Sequence, residues 1–250
     1  MSLRFHEISE ANRRIQNPFS EQKLRLLGSI CDISTGTTIL DVACGKGEAL
    51  CQWASTFDAT GTGVDISERF IKHAFARADE LNVSSQLTFE QADAANYPIS
   101  SHDVDIACCI GASWIGGGLR GTLDLLDDAT RDDTSLLVVG EAFWATEPPA
   151  DAVQALANGD DEMFEALPGL SRTVENAGYE LVEMVLANDD DWDRYEASQW
   201  RAVDKWIREH PDDPDGEEIR QWVSDNRRTY LRFGREYLGW GVFVVRHPPA

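Results

Sequence analysis

Hydrophobic and polar positions form blocks along the chain that predict buried strands separated by amphipathic helices. Apolar runs at residues 39–42, 104–110 and 136–139 are typical of strands that are covered on both faces. Shorter strands are predicted at 61–64 and 87–90, and segments with helical spacing follow the strands at 39–42, 61–64 and 104–110. This alternation predicts an α/β fold with a mainly parallel sheet and helices on both faces.

The last third of the chain has a different pattern. Residues 179–186 alternate like a strand, and residues 241–245 form a final apolar run. The segment between them is predicted to be helical, rich in aromatic residues and interrupted at 211–214; we expect it to close over the cleft of the sheet. We predict a single domain that spans residues 1–250. Within it, residues 1–35 form an N-terminal cap segment, and residues 188–238 form the helical insertion before the last strand.

Polar or flexible residues stand where four of the predicted strands end. They are Asp65, Asp93, Gly111 and Glu141. Ligands of parallel sheets bind beyond the carboxyl ends of the strands, near the point where the strand order switches. The sequence therefore predicts a binding site along this edge.

The turn after the first strand carries the pattern Asp41-x-Ala43-x-Gly45-x-Gly47. Glycines permit close approach of a ligand, and the amides that open the next helix favour an acidic ligand group. A dinucleotide fingerprint would need a third glycine where Leu50 stands, and a P-loop would not continue with Glu48. The Asp41 carboxylate is unsuited to a pyrophosphate and suits an ammonium group.

This pattern resembles motif I of the class I S-adenosylmethionine (SAM)-dependent methyltransferases, in which alanine often replaces the first glycine. The resemblance implies a Rossmann-like, seven-stranded mixed sheet that is parallel except for one antiparallel strand. It also implies that Asp65 binds the ribose hydroxyls of SAM. The implied cofactor-binding residues are Asp41, Ala43, Gly45, Gly47, Asp65, Ile66, Asp93, Ala94, Ile110 and Gly111.

The resemblance assigns a part of the cofactor to most of these positions. Asp93 and Ala94 match the residues that contact the adenine edge, and Ile66 would lie against the adenine ring. Ile110 and Gly111 would pass close to the methionine part. A narrower resemblance, to an uncharacterised small bacterial and archaeal group of this family, brings no substrate with it. It rests on four stretches: residues 17–19, 111–117, 192–196 and 239–243.

Aromatic residues are the candidates for a substrate pocket. Trp114 lies in the glycine-rich loop after the fourth strand, Trp144 is predicted to follow the fifth strand, and Tyr195 and Trp200 lie in the helical insertion. Glu141, also predicted to follow the fifth strand, is the candidate catalytic residue, either as a general base or as the partner of a cationic substrate; it could equally be a surface acid. Acids together with aromatic rings would suit an amine or another cation.

The function predicted from these residues is methyl transfer from SAM to a small-molecule acceptor, with S-adenosylhomocysteine (SAH) as the second product. Two alternatives remain open. The chain could be a regulatory protein that binds SAM without catalysis, or, against the evidence of Leu50, an NAD(P)-dependent oxidoreductase. No metal site is expected.

Charge and composition limit the partners and the cellular location that we expect for this chain. The 250 residues carry a formal net charge of −22 with acids spread along the chain, which indicates either a soluble acidic enzyme or adaptation to a saline cytoplasm. A surface this negative repels phosphate backbones, so a nucleic-acid partner is not expected. No apolar run approaches the ~20 residues of a membrane span, and the N-terminus is too polar for a secretory signal. We therefore expect no membrane partner and a cytoplasmic location.

Overall fold

The computed structural model describes residues 2–99, 103–160 and 163–249; Met1 and Ala250, the ends of the predicted domain, lie outside these ranges. The chain divides into two compact units. The first, which we call the sheet unit, consists of Ser20–Ala142, Pro168–Leu186 and Trp240–Ala250. The second, the helical unit, consists of Met1–Phe19, Phe143–Leu167 and Ala187–Gly239.

Seven strands form one mixed sheet. Their bounds are Thr38–Val42 (β1), Thr60–Asp65 (β2), Leu87–Gln91 (β3), Ile106–Ile110 (β4), Leu136–Trp144 (β5), Glu180–Leu186 (β6) and Leu238–Arg246 (β7). Their order in the sheet is β3-β2-β1-β4-β5-β7-β6. Strands β1 to β5 pair in parallel, and β7 runs antiparallel to its neighbours. This confirms the predicted Rossmann-like sheet with one antiparallel strand.

Ten α-helices accompany the sheet in the described ranges. They are Leu3–Ser9 (α1), Glu21–Ile30 (α2), Glu48–Phe57 (α3), Glu68–Glu80 (α4), Leu119–Asp127 (α5), Ala150–Leu156 (α6), Leu167–Asn176 (α7), Asp189–Glu209 (α8), Gly216–Thr229 (α9) and Arg235–Tyr237 (α10). A π-helical turn spans Tyr230–Gly234. The short helices α1 and α6 were not predicted, because neither carries a full apolar stripe in the sequence. No helix in these ranges is long and apolar enough to cross a membrane.

The core of the sheet unit follows from the apolar runs that predict its central strands. Leu40 and Val42 of β1 and Ala107 and Cys109 of β4 are completely buried, as expected of strands covered on both faces. Side-chain caps begin two of the helices that flank the sheet, α2 and α4. The Ser20 hydroxyl accepts a hydrogen bond from the Lys23 amide (3.2 Å) at the start of α2.

Strand β5 is longer than its apolar run indicates. It continues to Trp144, so Glu141 and Trp144, which were predicted to follow the strand, lie within it. The reason is tertiary: β7 hydrogen-bonds along β5 and begins at Leu238, which lengthens the ladder beyond the run at 136–139.

The helical unit has a hydrophobic core of its own. Residues from α1, α8 and α9 form it, and three of the tryptophans beyond residue 190 pack against it. The core residues are Phe5, Ile8, Val203, Ile219 and Val223, and the tryptophans are Trp200, Trp206 and Trp222. A capping box between Asn188 and Asp191 begins α8. The break between α8 and α9 falls at the prolines of 211–214, as predicted.

Candidate functional site

The turn from β1 into α3 alternates left-handed residues. Ala43, Gly45 and Gly47 have φ values of 60°, 55° and 67°. These are the three positions of the small-residue pattern, so the pattern is a backbone requirement. Alanine in this conformation is strained by about 1–2 kcal/mol, whereas glycine is not.

Asp65, the last residue of β2, ties this turn to the neighbouring strand. Its Oδ2 accepts a hydrogen bond from the Gly45 amide (2.8 Å). Its Oδ1 accepts one from the Ser67 amide (2.8 Å), at the start of α4. The carboxylate is 8% exposed. Two backbone amides therefore fix its orientation beside the turn.

Asp41 adds a second buried acid to the turn. It is 3% exposed, and its burial together with the charge of Asp65 raises the pKa of Asp41 to about 8. A cation placed beside this pair would favour the ionised carboxylates. The arrangement can therefore bind a positively charged group together with hydroxyl donors.

A third acid at the turn is already neutralised by the protein. Glu48, in the first turn of α3, accepts two hydrogen bonds from Arg77, each of 2.8 Å. Lys46 turns toward α4, where its Nζ lies 5.7 Å from the centre of the Phe70 ring. Glu48 is thus paired with Arg77 within the protein, whereas Asp41 and Asp65 form the buried acidic pair.

Leu50 fills the place that a dinucleotide-binding fold gives to its third glycine. The side chain is 1% exposed, and a Cβ on Gly61 of β2 would lie 2.9 Å from Leu50 Cδ2. In this chain the small residue, Gly61, lies on strand β2, and the large residue, Leu50, lies on helix α3. Close packing between α3 and the sheet is therefore achieved without the dinucleotide pattern.

Ile66 and Asp93 continue the same edge of the sheet. Ile66, next to Asp65, is 55% exposed. Asp93 caps a short 3₁₀ helix: its Oδ1 accepts from the Ala95 amide (3.1 Å) and its Oδ2 from the Asn96 side chain (2.8 Å). Ala94 is buried beneath it. The edge thus offers an exposed apolar side chain and a locally anchored acid.

The loop after β4 is held by backbone packing. Gly111, which follows Ile110, has a φ of 88°, and its amide donates to the Gly140 carbonyl (3.1 Å). A Cβ on Gly121 would lie 2.1 Å from the Gly116 oxygen, so the loop sits directly on the first turn of α5. Trp114 protrudes from this loop with 74% of its surface exposed.

Glu141 and Trp144 lie on the second half of β5. Glu141 is half-buried, and Trp144 is buried edge-on against Phe164, with ring centroids 5.2 Å apart. The Trp144 indole N–H is buried and meets no hydrogen-bond acceptor among the described residues.

The structure groups the predicted site residues by unit. All ten cofactor-binding candidates, with Glu141 and Trp114, belong to the sheet unit. Trp144, Tyr195 and Trp200 belong to the helical unit.

Sequence reasoning missed a polar group within the helical unit. Gln199 Nε2 donates to Glu10 Oε1 (2.9 Å), and Glu10 is completely buried. Glu196 and Gln199 lie on the stripe of α8 that also carries Val203, so a polar residue at a buried helical position was a usable signal. Glu10 offered none, because its surroundings are set by residues far along the chain.

Comparisons with known proteins identify relatives among the methyltransferases. A family model described as "Methyltransferase domain" matches residues 39–122. The uncharacterized protein YjhP of Escherichia coli is 40% identical over 243 residues, covering 97% of each chain. The crystal structure of a SAM-dependent methyltransferase from Geobacter sulfurreducens, in complex with SAH, is 38% identical, with a TM-score of 0.94 over 99% of each chain. The corresponding structure from Thiobacillus denitrificans, also with SAH, is 39% identical, with a TM-score of 0.94 over 99% of each chain.

Proposed function

The chain belongs to the family of SAM-dependent methyltransferases, and from this membership we propose that it transfers the methyl group of SAM to a small-molecule acceptor. The observation that carries the proposal is the buried pair of Asp41 and Asp65 at a left-handed turn. SAM brings both an ammonium group and a ribose diol, which are the partners that two carboxylates of this kind require.

We assign the parts of the cofactor to the residues as follows. Asp65, already oriented by two amides, accepts hydrogen bonds from the ribose hydroxyls. Asp41 stabilises the ammonium group, and the turn 43–47 allows the methionine part to approach the backbone. Ile66 covers the adenine ring, Asp93 and Ala94 contact its edge, and Ile110 and Gly111 lie along the methionine part.

When bound, SAM supplies an electrophilic methyl group on its sulfonium, which the acceptor's lone pair takes in line as SAH leaves. The tasks left to the protein are alignment and exclusion of water. If the acceptor atom carries a proton, Glu141 is our candidate to remove it, since its carboxylate is half-buried on β5. Within the sheet unit, Trp114 is the proposed aromatic wall for the acceptor. The pocket roles of Trp144, Tyr195 and Trp200, in the helical unit, stay predictions from the sequence.

A neutral or cationic acceptor fits the charge of the chain better than a polyanion does. The net charge of −22 disfavours nucleic acids and other polyanions. It favours neutral or cationic acceptors, whose approach the acidic surface does not oppose.

The direct test is methyl transfer from SAM carrying an isotopic label in its methyl group. The protein would be incubated with a panel of small amines, phenols, thiols and carboxylates at low and at high salt. We expect a labelled product in one chemical class, identified by mass spectrometry, and loss of turnover in Asp65→Asn. Binding of SAH without any transfer across the panel would contradict the proposal and support a regulatory SAM-binding protein.

A further inference from the structure

One face of α8 in the helical unit carries polar and aromatic side chains where a helix normally buries apolar ones. Trp192, Tyr195, Glu196 and Gln199 are spaced at i, i+3, i+4 and i+7, so they lie on the same face. Glu10, just after α1, and Tyr230, at the start of the π-helical turn, join them through the contacts described below. We call these six residues the α8 cluster: Glu10, Trp192, Tyr195, Glu196, Gln199 and Tyr230.

Two carboxylates of the α8 cluster are buried together. Glu10 is completely buried and Glu196 is 8% exposed. Glu10 Oε1 accepts the hydrogen bond from Gln199 (2.9 Å). Glu196 Oε2 is buried and meets no donor within the described ranges. A carboxylate oxygen removed from water without a donor is destabilising, which points to a partner supplied from outside the chain.

The environment of Glu196 favours its neutral form. Burial, followed by the charge of Glu10, raises the pKa of Glu196 to about 7, and a hydrogen bond with Trp200 and the charge of Arg13 oppose this shift. The Arg13 guanidinium donates to two backbone carbonyls of residues 15–17, at 2.9 and 3.0 Å, and lies 5.0 Å from the centre of the Tyr195 ring. Arg13 thus lies against the ring of Tyr195, a member of the α8 cluster.

Aromatic rings complete the α8 cluster. The Trp192 ring lies nearly parallel to Tyr230, with centroids 6.3 Å apart, and edge-on to Tyr195 at 6.1 Å. The Trp192 indole N–H is buried and finds no acceptor in the part of the chain that the structure describes. Tyr230 donates its hydroxyl hydrogen to Asp193 (2.7 Å) and opens the π-helical turn. Such turns occur frequently at functional sites.

Carboxylate and aromatic faces in one place are the chemistry that recognises an organic ammonium group. The carboxylate supplies charge, and the rings attract alkylated ammonium through their negative faces. A small inorganic cation would instead use several oxygen ligands, which the aromatic members do not offer. We propose that the α8 cluster binds an organic ammonium group.

The experiment uses tetramethylammonium as the probe, because it carries the recognised group and cannot itself be methylated further. The protein, saturated with SAH, is labelled with 5-fluorotryptophan, and fluorine resonances report on the tryptophans. The Trp192 resonance is assigned from its loss in Trp192→Phe. Sodium chloride at matched ionic strength and tert-butanol, a neutral molecule of similar shape, are the ligand controls.

We expect a saturable shift of the Trp192 resonance with tetramethylammonium and with neither control. Glu196→Gln should weaken this binding by about tenfold or more, since it removes the carboxylate that would pair with the ammonium group. Glu209→Gln, the same change at an exposed position of α8, should leave the affinity unchanged. If Glu196→Gln does not fold, as judged by circular dichroism, Glu196→Asp replaces it. Aspartate keeps the charge but is one methylene shorter, so this variant should also bind tetramethylammonium more weakly.

An equal shift with sodium chloride, no saturable shift, or equal affinities in the Glu196 and Glu209 variants would overturn the inference. Binding of SAH to the unlabelled protein is measured first and separates this outcome from failure of the proposed function. If SAH does not bind, the proposed function fails. If SAH binds and tetramethylammonium does not, only the assignment of the α8 cluster fails.

Discussion

The turn between β1 and α3 and the α8 cluster each bury two carboxylates, but the two regions hold their acids by different means. At the turn, backbone amides of Gly45 and Ser67 orient Asp65. In the α8 cluster, the Gln199 side chain holds Glu10. A site built on backbone amides requires residues that tolerate left-handed conformations, and these leave a pattern in the sequence. A site built on side chains leaves none of comparable strength.

The two regions share one electrostatic property. Burial is the largest cause of the raised pKa of Asp41, about 8, and of Glu196, about 7, and a neighbouring carboxylate adds to each. Both regions would therefore gain from a bound cation. In our account the cation at the turn belongs to SAM, and the cation at the α8 cluster is an organic ammonium group.

The largest expected effect is the contribution of Asp41 to the pH dependence of the free energy of unfolding. Its folded pKa of about 8 lies above its ordinary value, so the folded state retains a proton that the unfolded state releases. The stability due to this group is lost as pH rises from about 4 to 8, by up to about 1.4 kcal/mol per pH unit. Asp41→Asn has no titrating group at this position. Between pH 5 and pH 8 the free energy of unfolding of the wild-type protein should therefore fall relative to that of the variant. Parallel curves from urea unfolding would contradict the assignment.

Gly47→Ala tests whether the turn depends on its backbone. A Cβ there would lie 2.7 Å from the Phe89 ring and 2.8 Å from Ala74 Cβ, at a φ of +67°. Left-handed strain and overpacking together should destabilise the protein by about 3 kcal/mol. Gly36→Ala is the matched control, because Gly36 has a φ of +91° and nothing within 4 Å of the added Cβ. It should lose only about 1 kcal/mol. Equal losses in thermal unfolding would refute the packing argument.

Asp65→Asn tests the part of the turn that faces the cofactor. Asparagine keeps the shape but has one acceptor oxygen in place of two, so it cannot accept from both Gly45 and Ser67 and loses its charge. Loss of charged hydrogen bonds of about 2 kcal/mol should weaken SAH binding roughly 30-fold in calorimetry. Asp93→Asn, at an exposed acid on the same edge, should weaken it far less. The assignment fails if the order of these two effects is reversed.

The smallest effect is expected at Ala43. Its φ of 60° strains an alanine by about 1–2 kcal/mol, while glycine adds unfolded-state entropy worth about 0.4–1 kcal/mol. Ala43→Gly should therefore stabilise the protein by about 0.5 kcal/mol in chemical unfolding. A destabilised variant would mean that the Ala43 methyl group makes contacts that outweigh the strain.

The same contrast explains what could be predicted from the sequence. The buried strands of the sheet follow from apolar runs, which act locally, and the turn follows from its glycines at 45 and 47. The antiparallel strand was implied by the family resemblance, and the left-handed conformation of Ala43 was not predicted. The far end of β5 and the burial of Glu10 could not be predicted, because β7 and α8 determine them from about a hundred or more residues away. Helix α1 was missed for the same reason: Phe5 and Ile8 are buried against α8 and α9, not by a stripe of their own.

A crystal structure of the protein grown with SAH tests the central claim most directly. The account predicts that the ribose hydroxyls lie within hydrogen-bonding distance of the Asp65 carboxylate and the α-ammonium group beside Asp41, above the turn 43–47. SAH bound elsewhere, or bound at the turn without contacting either carboxylate, would contradict it.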